Sequence, residues 1–161
     1  EGWELGAELR LMDARLTMGL TATSLRATHD QPLEVRALGE LLYTIPPGDV
    51  PYIAEDSGSA FVRWEDHARG LELSAEADYT GSMLIQKLES AFGPVTELEP
   101  TPSFWIYNVR MRKTLTRNIS FFAGADNISG EYETWLGDPR YEFNWGSLRG
   151  RYVYGGLSYE M

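Results

Sequence analysis

Glu72, Glu76 and Asp78 alternate with apolar residues along one stretch of the chain, and Arg110 and Arg112 do the same along another. Glu4, Glu8 and Arg10 repeat the pattern near the start. Charged groups so placed serve proton transfer between paired acids, ion pairing, or a charged wall facing a solute or a second protein segment. No two of these carboxylates have the spacing of an acid–base dyad, so the first use falls away. A charged wall and ordinary solvated strand charge both remain open.

Other reactive groups are few. The chain has no cysteine, which removes disulfides, thiolate metal sites and cysteine nucleophiles together. Its two histidines, His29 and His67, fall in a long polar connection and in a short turn, so they are expected at opposite ends of the fold. Neither lies near a serine and a carboxylate in a way that forms a triad. No catalytic residue, metal site or cofactor is expected, and Asp49, Glu55, Asp56 and Asp66 lack calcium-loop spacing. Trp135, Asp138, Tyr141 and Trp145, beside Glu131 and Glu133, mix rings with carboxylates in one connection. That mixture suits a ligand-binding loop and equally an aromatic membrane belt.

These residues must be positioned by strands, because period-two alternation recurs throughout. Segments 2–11, 16–26, 57–65, 70–80, 103–114, 119–127 and 151–161 each set an apolar face against a face of Glu, Arg, Asp, Ser, Thr and Gly. In segment 70–80, Leu71, Leu73, Ala75, Ala77 and Tyr79 oppose Glu72, Ser74, Glu76 and Asp78. Phe122 breaks the pattern of its segment. Connections alternate in length: 12–15, 66–69 and 115–118 are short, whereas 27–55, 81–102 and 128–147 are long. Within the first long connection, 33–43 reads as either a short helix or a strand extension.

No apolar run approaches the ~20 residues of a membrane helix, so any membrane span must be made of strands. Short turns at one end and long loops at the other characterise outer-membrane barrels, and Tyr79, Trp105, Tyr107 and Tyr159 stand at strand ends where belts form. A soluble antiparallel barrel or sandwich with one wet face has similar alternation. The net charge of −10 speaks against a nucleic-acid partner, which needs a basic face.

From Asn118 onward the sequence resembles the end of a TonB-dependent outer-membrane receptor. In that family the penultimate strand ends in an Asn-Leu-Phe-like element followed by Tyr, matched here by Asn127-Ile128-Ser129 and Tyr132. The family's closing strand opens with Gly-Arg, here Gly150-Arg151, and ends in Gly-Leu-x-Tyr-x-Phe, here Gly156-Leu157-Ser158-Tyr159-Glu160-Met161. Met161 departs from the family's Phe. Gly2-Trp3-Glu4 is similar to the opening of another family strand, and the rest of the chain matches by layout.

The resemblance implies an all-β fold: an antiparallel up-and-down transmembrane barrel of which 1–161 is the C-terminal part, about seven strands of about 22 around a plug. It implies energy-coupled uptake of a scarce nutrient, such as an iron–siderophore or cobalamin, across the outer membrane of a Gram-negative bacterium. Partners would be outer-membrane lipid, the plug and remaining strands, TonB reached through the plug, and the solute or metal chelate. Asn127, Tyr132, Gly150 and Arg151 would be family-motif residues, and Gly156, Leu157, Tyr159 and Met161 the assembly signal. Trp135, Asp138, Tyr141 and Trp145 would offer an extracellular ligand surface, and Glu72, Glu76, Arg110 and Arg112 would face the lumen. A passive small barrel or porin, or a soluble ligand-binding barrel, are the competing classes.

Overall fold

The structure, a computed structural model, describes residues 1–13, 15–37, 40–88, 95–131 and 150–160. In chain order its strands are β1 (Gly2–Leu11), β2 (Leu16–Leu25), β3 (Thr28–His29), β4 (Leu33–Ala37), β5 (Glu40–Ile45), β6 (Gly48–Asp49), β7 (Asp56–Asp66), β8 (Leu71–Thr80), β9 (Leu84–Leu88), β10 (Val95–Pro100), β11 (Phe104–Thr114), β12 (Ile119–Asp126) and β13 (Tyr152–Tyr159). No helix occurs among the described residues. Seven strands make one sheet in the order β1-β2-β7-β8-β11-β12-β13, each antiparallel to its neighbours. These are the seven segments expected from alternation.

Register sorts the side chains. One transverse row reads Leu9, Met18, Val62, Ala75, Val109, Ala125 and Val153, apolar across the whole sheet. The next row, on the opposite face, reads Arg10, Thr17, Arg63, Ser74, Arg110, Gly124 and Tyr154. Because a one-residue slip would exchange the two faces, this register is fixed by the pattern itself.

The sheet fully buries no residue of its apolar face. Among the described residues only Ile45 and Ile85 are buried hydrophobics, and both belong to the long connections. Leu20, Val153 and Leu157 are 54%, 71% and 71% exposed, values foreign to a sandwich core, where such side chains each gain about 1.5–3 kcal/mol by burial.

The long connections carry their own small ladders. β4 pairs with β5, β9 with β10, and β3 with β6, so segment 33–43 forms one hairpin. β-branched and aromatic residues, Val35, Tyr43, Thr44 and Ile45, favour that outcome over a helix. The Tyr52 amide donates to Leu84 O (2.8 Å), tying the first connection to the second.

The short turns are closed tightly. Met12 and Asp13 both take φ of 54°, a left-handed conformation that is uncommon outside glycine. Gly70 (φ 58°) ends the next turn where a Cβ would lie 2.9 Å from Thr114 Cβ. Asp66 lies beyond Trp64, past the apolar band of its strand. Its carboxylate accepts from the Arg69 amide (3.0 Å) and guanidinium (3.1 Å). The backbone bond first, then the charge, hold its pKa below the ordinary value. His29 and His67 stand at opposite ends, His29 in β3 and His67 in this turn.

Candidate functional site

The polar face of the sheet gathers the charged residues that alternation singled out. Glu72 lies opposite Arg112, and Glu76 opposite Asn108. Neither glutamate lies within ion-pair distance of Arg110 or Arg112. Arg110 instead approaches Asp126 (3.8 Å), and Arg112 reaches Glu160 (3.5 Å) and Ser120 Oγ (3.4 Å), spanning β12. These partners escaped sequence reading because they lie on strands distant along the chain. The ion pairs are half-exposed, so each contributes little alone. Arg63 has no carboxylate within ion-pair distance among the described residues and stands on the row of Ser74 and Arg110. Cavities of about 260 and 470 Å³ open on this charged face beside Arg63, Ser74 and Arg110. No cluster of metal-ligating side chains occurs among the described residues.

Within the charged rows, aromatic rings lie against glycines. Phe61 is registered with Gly19, Tyr154 with Gly124, and Phe122 with Gly156. A Cβ at Gly124 would sit 2.5 Å from the Tyr154 ring, and one at Gly156 would sit 2.7 Å from Phe122. Cross-strand covering of a glycine by an aromatic ring stabilises an otherwise weak strand position. Phe122, the residue that broke its segment's pattern, is thereby accounted for, and Gly156 gains a local structural reason.

The most tightly bonded node is the end of β12. Asn127 adopts φ of 52° and is 5% exposed. Its amide donates to Asn108 Oδ1 (3.0 Å), its Nδ2 donates to Glu131 O (2.5 Å), and its Oδ1 accepts from the Glu131 amide (3.0 Å). The Ile128 amide donates to Tyr107 O (2.8 Å), and Ser129 Oγ is within reach of Trp105 O (3.0 Å). Arg151 Nε donates to Ile128 O (3.0 Å). Asparagine suits this position because its short amide bonds the local backbone and tolerates the left-handed region. Two expected motif residues, Asn127 and Arg151, are therefore brought together through the backbone of Ile128. Gly150 precedes Arg151, with open space where a Cβ would be. Asn108 and the carbonyls of Trp105 and Tyr107, missed from sequence, complete the knot.

At the other end, the Glu160 amide donates to Asn118 O (2.9 Å) and Asn118 Nδ2 donates to Glu160 O (2.6 Å). Leu157 and Tyr159 of β13 point to the apolar face, registered with Phe121 and Ile119. Tyr79, Trp105 and Tyr107 also share that face; Tyr79 and Trp105 have ring centroids 4.9 Å apart. Tyr132, Trp135, Asp138, Tyr141, Trp145 and Met161 lie outside the described residues.

This arrangement offers no nucleophile, base or metal in a catalytic constellation among the described residues; it is a two-faced wall with pinned ends. No protein-family model and no curated protein matches the sequence. Among solved structures, the ferric enterobactin receptor PfeA in complex with BCV-L6 is similar over 98% of this chain, with a TM-score of 0.63 and 18% identity. A single-substitution variant of PfeA from Pseudomonas aeruginosa in complex with enterobactin gives a TM-score of 0.49 at 15% identity, over 98% of this chain and 31% of that one. The chain spans 22% of the length of the first receptor. The seven-stranded antiparallel sheet thus has the fold of a stretch of β-barrel wall from a receptor of that kind.

Proposed function

We propose that this chain is the C-terminal part of the barrel of a TonB-dependent receptor in the outer membrane of a Gram-negative bacterium. The observation that carries the reading is the sheet's apolar face, on which no side chain is fully buried and many are exposed, backed by charge on the other face and by alternating short and long connections. In bilayer hydrocarbon such a face needs no protein partner, and closure of the barrel satisfies every strand edge. The likeness in fold to a ferric enterobactin receptor supports the same reading.

In this role residues 1–161 supply wall, external loops and the closing strand, and carry out no covalent chemistry. The solute is a scarce nutrient such as an iron–siderophore or cobalamin. It binds at the long-connection end, where Trp135, Asp138, Tyr141 and Trp145 provide a contact surface. Glu72, Glu76, Arg110 and Arg112 face the lumen and meet the plug or the passing solute, and TonB acts through the plug. Gly156, Leu157, Tyr159 and Met161 present the strand that the assembly machinery reads, while Asn127, Tyr132, Gly150 and Arg151 are the residues of the family motif.

Two measurements on the full-length protein that carries this chain test the reading. The protein should partition with outer membranes and need detergent for extraction. Uptake of its iron chelate or cobalamin should stop when TonB is removed. Recovery in the soluble fraction would refute the membrane placement, and uptake indifferent to TonB would refute the energy coupling.

A further inference from the structure

Two of the long connections, and not the wall, hold the only buried hydrophobic side chains among the described residues that such a count includes. Ile45 is 6% exposed and Ile85 1% exposed, one in connection 27–55 and one in connection 81–102. Pro51, Gly81 and Thr101 of the same two connections are buried as well. The rest of the described chain buries only Ser120 and Asn127. A side chain as covered as Ile85 has packed neighbours all round it, so these connections are folded structure in their own right.

Each connection is first closed on itself. In the first, the Leu25 amide donates to Glu55 O (2.7 Å) and the Val50 amide to Ala27 O (2.9 Å). In the second, the Thr101 amide donates to Met83 O (2.8 Å), and the Met83 amide donates to Thr101 Oγ1 (3.1 Å). Two further bonds then cross over. The Tyr52 amide donates to Leu84 O (2.8 Å), next to Ile85, and the Gly81 amide donates to Asp56 O (2.7 Å), where the first connection enters β7 and the second leaves β8. A Cβ at Gly81 would lie 2.6 Å from that oxygen, so the approach leaves no room for a side chain. Tyr52 makes its bond at φ of 65°, a left-handed backbone that a bulky residue keeps only where its surroundings fix it. A cavity of about 210 Å³ is lined by Val50, Ile53 and Glu55 of the first connection and by Met83, Leu84 and Pro100 of the second.

We propose that connections 27–55 and 81–102 are clamped into one body, so that hairpins β4–β5 and β9–β10 shift together and not as separate loops. Opening either connection uncovers its isoleucine and breaks the Tyr52–Leu84 bond, which removes support from the other. A solute held by one hairpin therefore repositions both. The inference goes beyond the transport reading and stands on the contacts between the two connections, so either can fail without the other.

The test is amide exchange with solvent, read by mass spectrometry on the full-length protein in mild detergent. In the wild type, peptides containing Val50 and Tyr52 and those containing Met83 and Thr101 should be protected. Ile85→Ala, a large-to-small change in the second connection, should speed exchange at Val50 and Tyr52 in the first by at least about tenfold. Ile45→Ala should do the same in reverse at Met83 and Thr101, because coupling between two sites is reciprocal. Ile85→Val, a milder deletion that folds more readily, should act in the same direction by about threefold. Peptides of β11 should exchange as in the wild type, which shows that each variant keeps its wall. Faster exchange confined to the substituted connection overturns the clamp, as does a wild type in which both connections are unprotected. Recovery of the same protein in the soluble fraction would refute the membrane placement and leave the clamp standing.

Discussion

The two faces of the sheet are built from the same strands, one residue out of step, and they follow opposite rules. On the apolar face the row from Leu9 to Val153 contains no polar side chain, and its larger members, Leu9, Met18, Val62, Val109 and Val153, are exposed. On the other face, charges alternate with hydroxyls and with glycines covered by rings. The difference teaches that stability here is not drawn from a core. One face depends on what surrounds it, and the other on local bonds between neighbouring strands.

Adjacent residues of β2 give the strongest way to break that contrast. Leu20→Arg, at mid-height on the apolar face, should destabilise the complete barrel in vesicles by about 2–4 kcal/mol, the range for arginine at a bilayer midplane. Thr21→Arg, on the polar face, loses the Thr21–Ser59 hydroxyl contact and the bond from the Ser59 amide to Thr21 Oγ1 and should cost about 1 kcal/mol. Denaturant midpoints measure both; equal effects would abolish the distinction between the faces.

A smaller effect is expected at the knot. Asn127→Ala removes the side-chain bonds to the Glu131 amide and carbonyl and to Ser129 Oγ and leaves alanine in a left-handed backbone, and should cost about 1–3 kcal/mol. Asn127→Gly restores the backbone freedom without the bonds, so its loss should be smaller. Exchange of the Glu131 amide with solvent, read by mass spectrometry, should rise in both variants.

Smaller again is Gly124→Ala, which drives a methyl into the Tyr154 ring and should cost about 1 kcal/mol by overpacking. Combining it with Tyr154→Ala should recover part of that loss, a coupling that independent residues would not display.

The least change concerns Asp66. Its carboxyl is held below its ordinary pKa by the Arg69 amide and charge, so its contribution is complete above the unfolded value and disappears as pH falls through the folded one. Asp66→Asn should therefore lower stability at neutral pH and leave it unchanged in strong acid.

The wall was legible in the sequence because period two survives wherever the two faces meet different surroundings. All seven wall strands were found, with ends within about two residues, the ordinary margin for strand boundaries. The hairpins of the long connections were not legible. Segment 33–43 carries apolar residues at spacings that fit either period, and 81–102 reads as a plain long connection ending in Pro100 and Pro102. The charged residues of the polar face were found, but not their partners. Asp126 and Glu160 meet Arg110 and Arg112 only because β11, β12 and β13 fold back on one another, which no local pattern encodes. Asn127 and Arg151 were singled out by resemblance alone, and the bond through Ile128 supplies their physical connection.

Tyr154 lying against Gly124 has a consequence for inheritance. A side chain introduced at Gly124 meets the ring, and loss of the ring uncovers a bare backbone, so neither site can drift freely. Relatives of this protein should therefore change the two positions together or keep both, and likewise Gly156 with Phe122 and Gly19 with Phe61. Residues far apart along the chain then descend as single units, each a mark of which strands lie side by side.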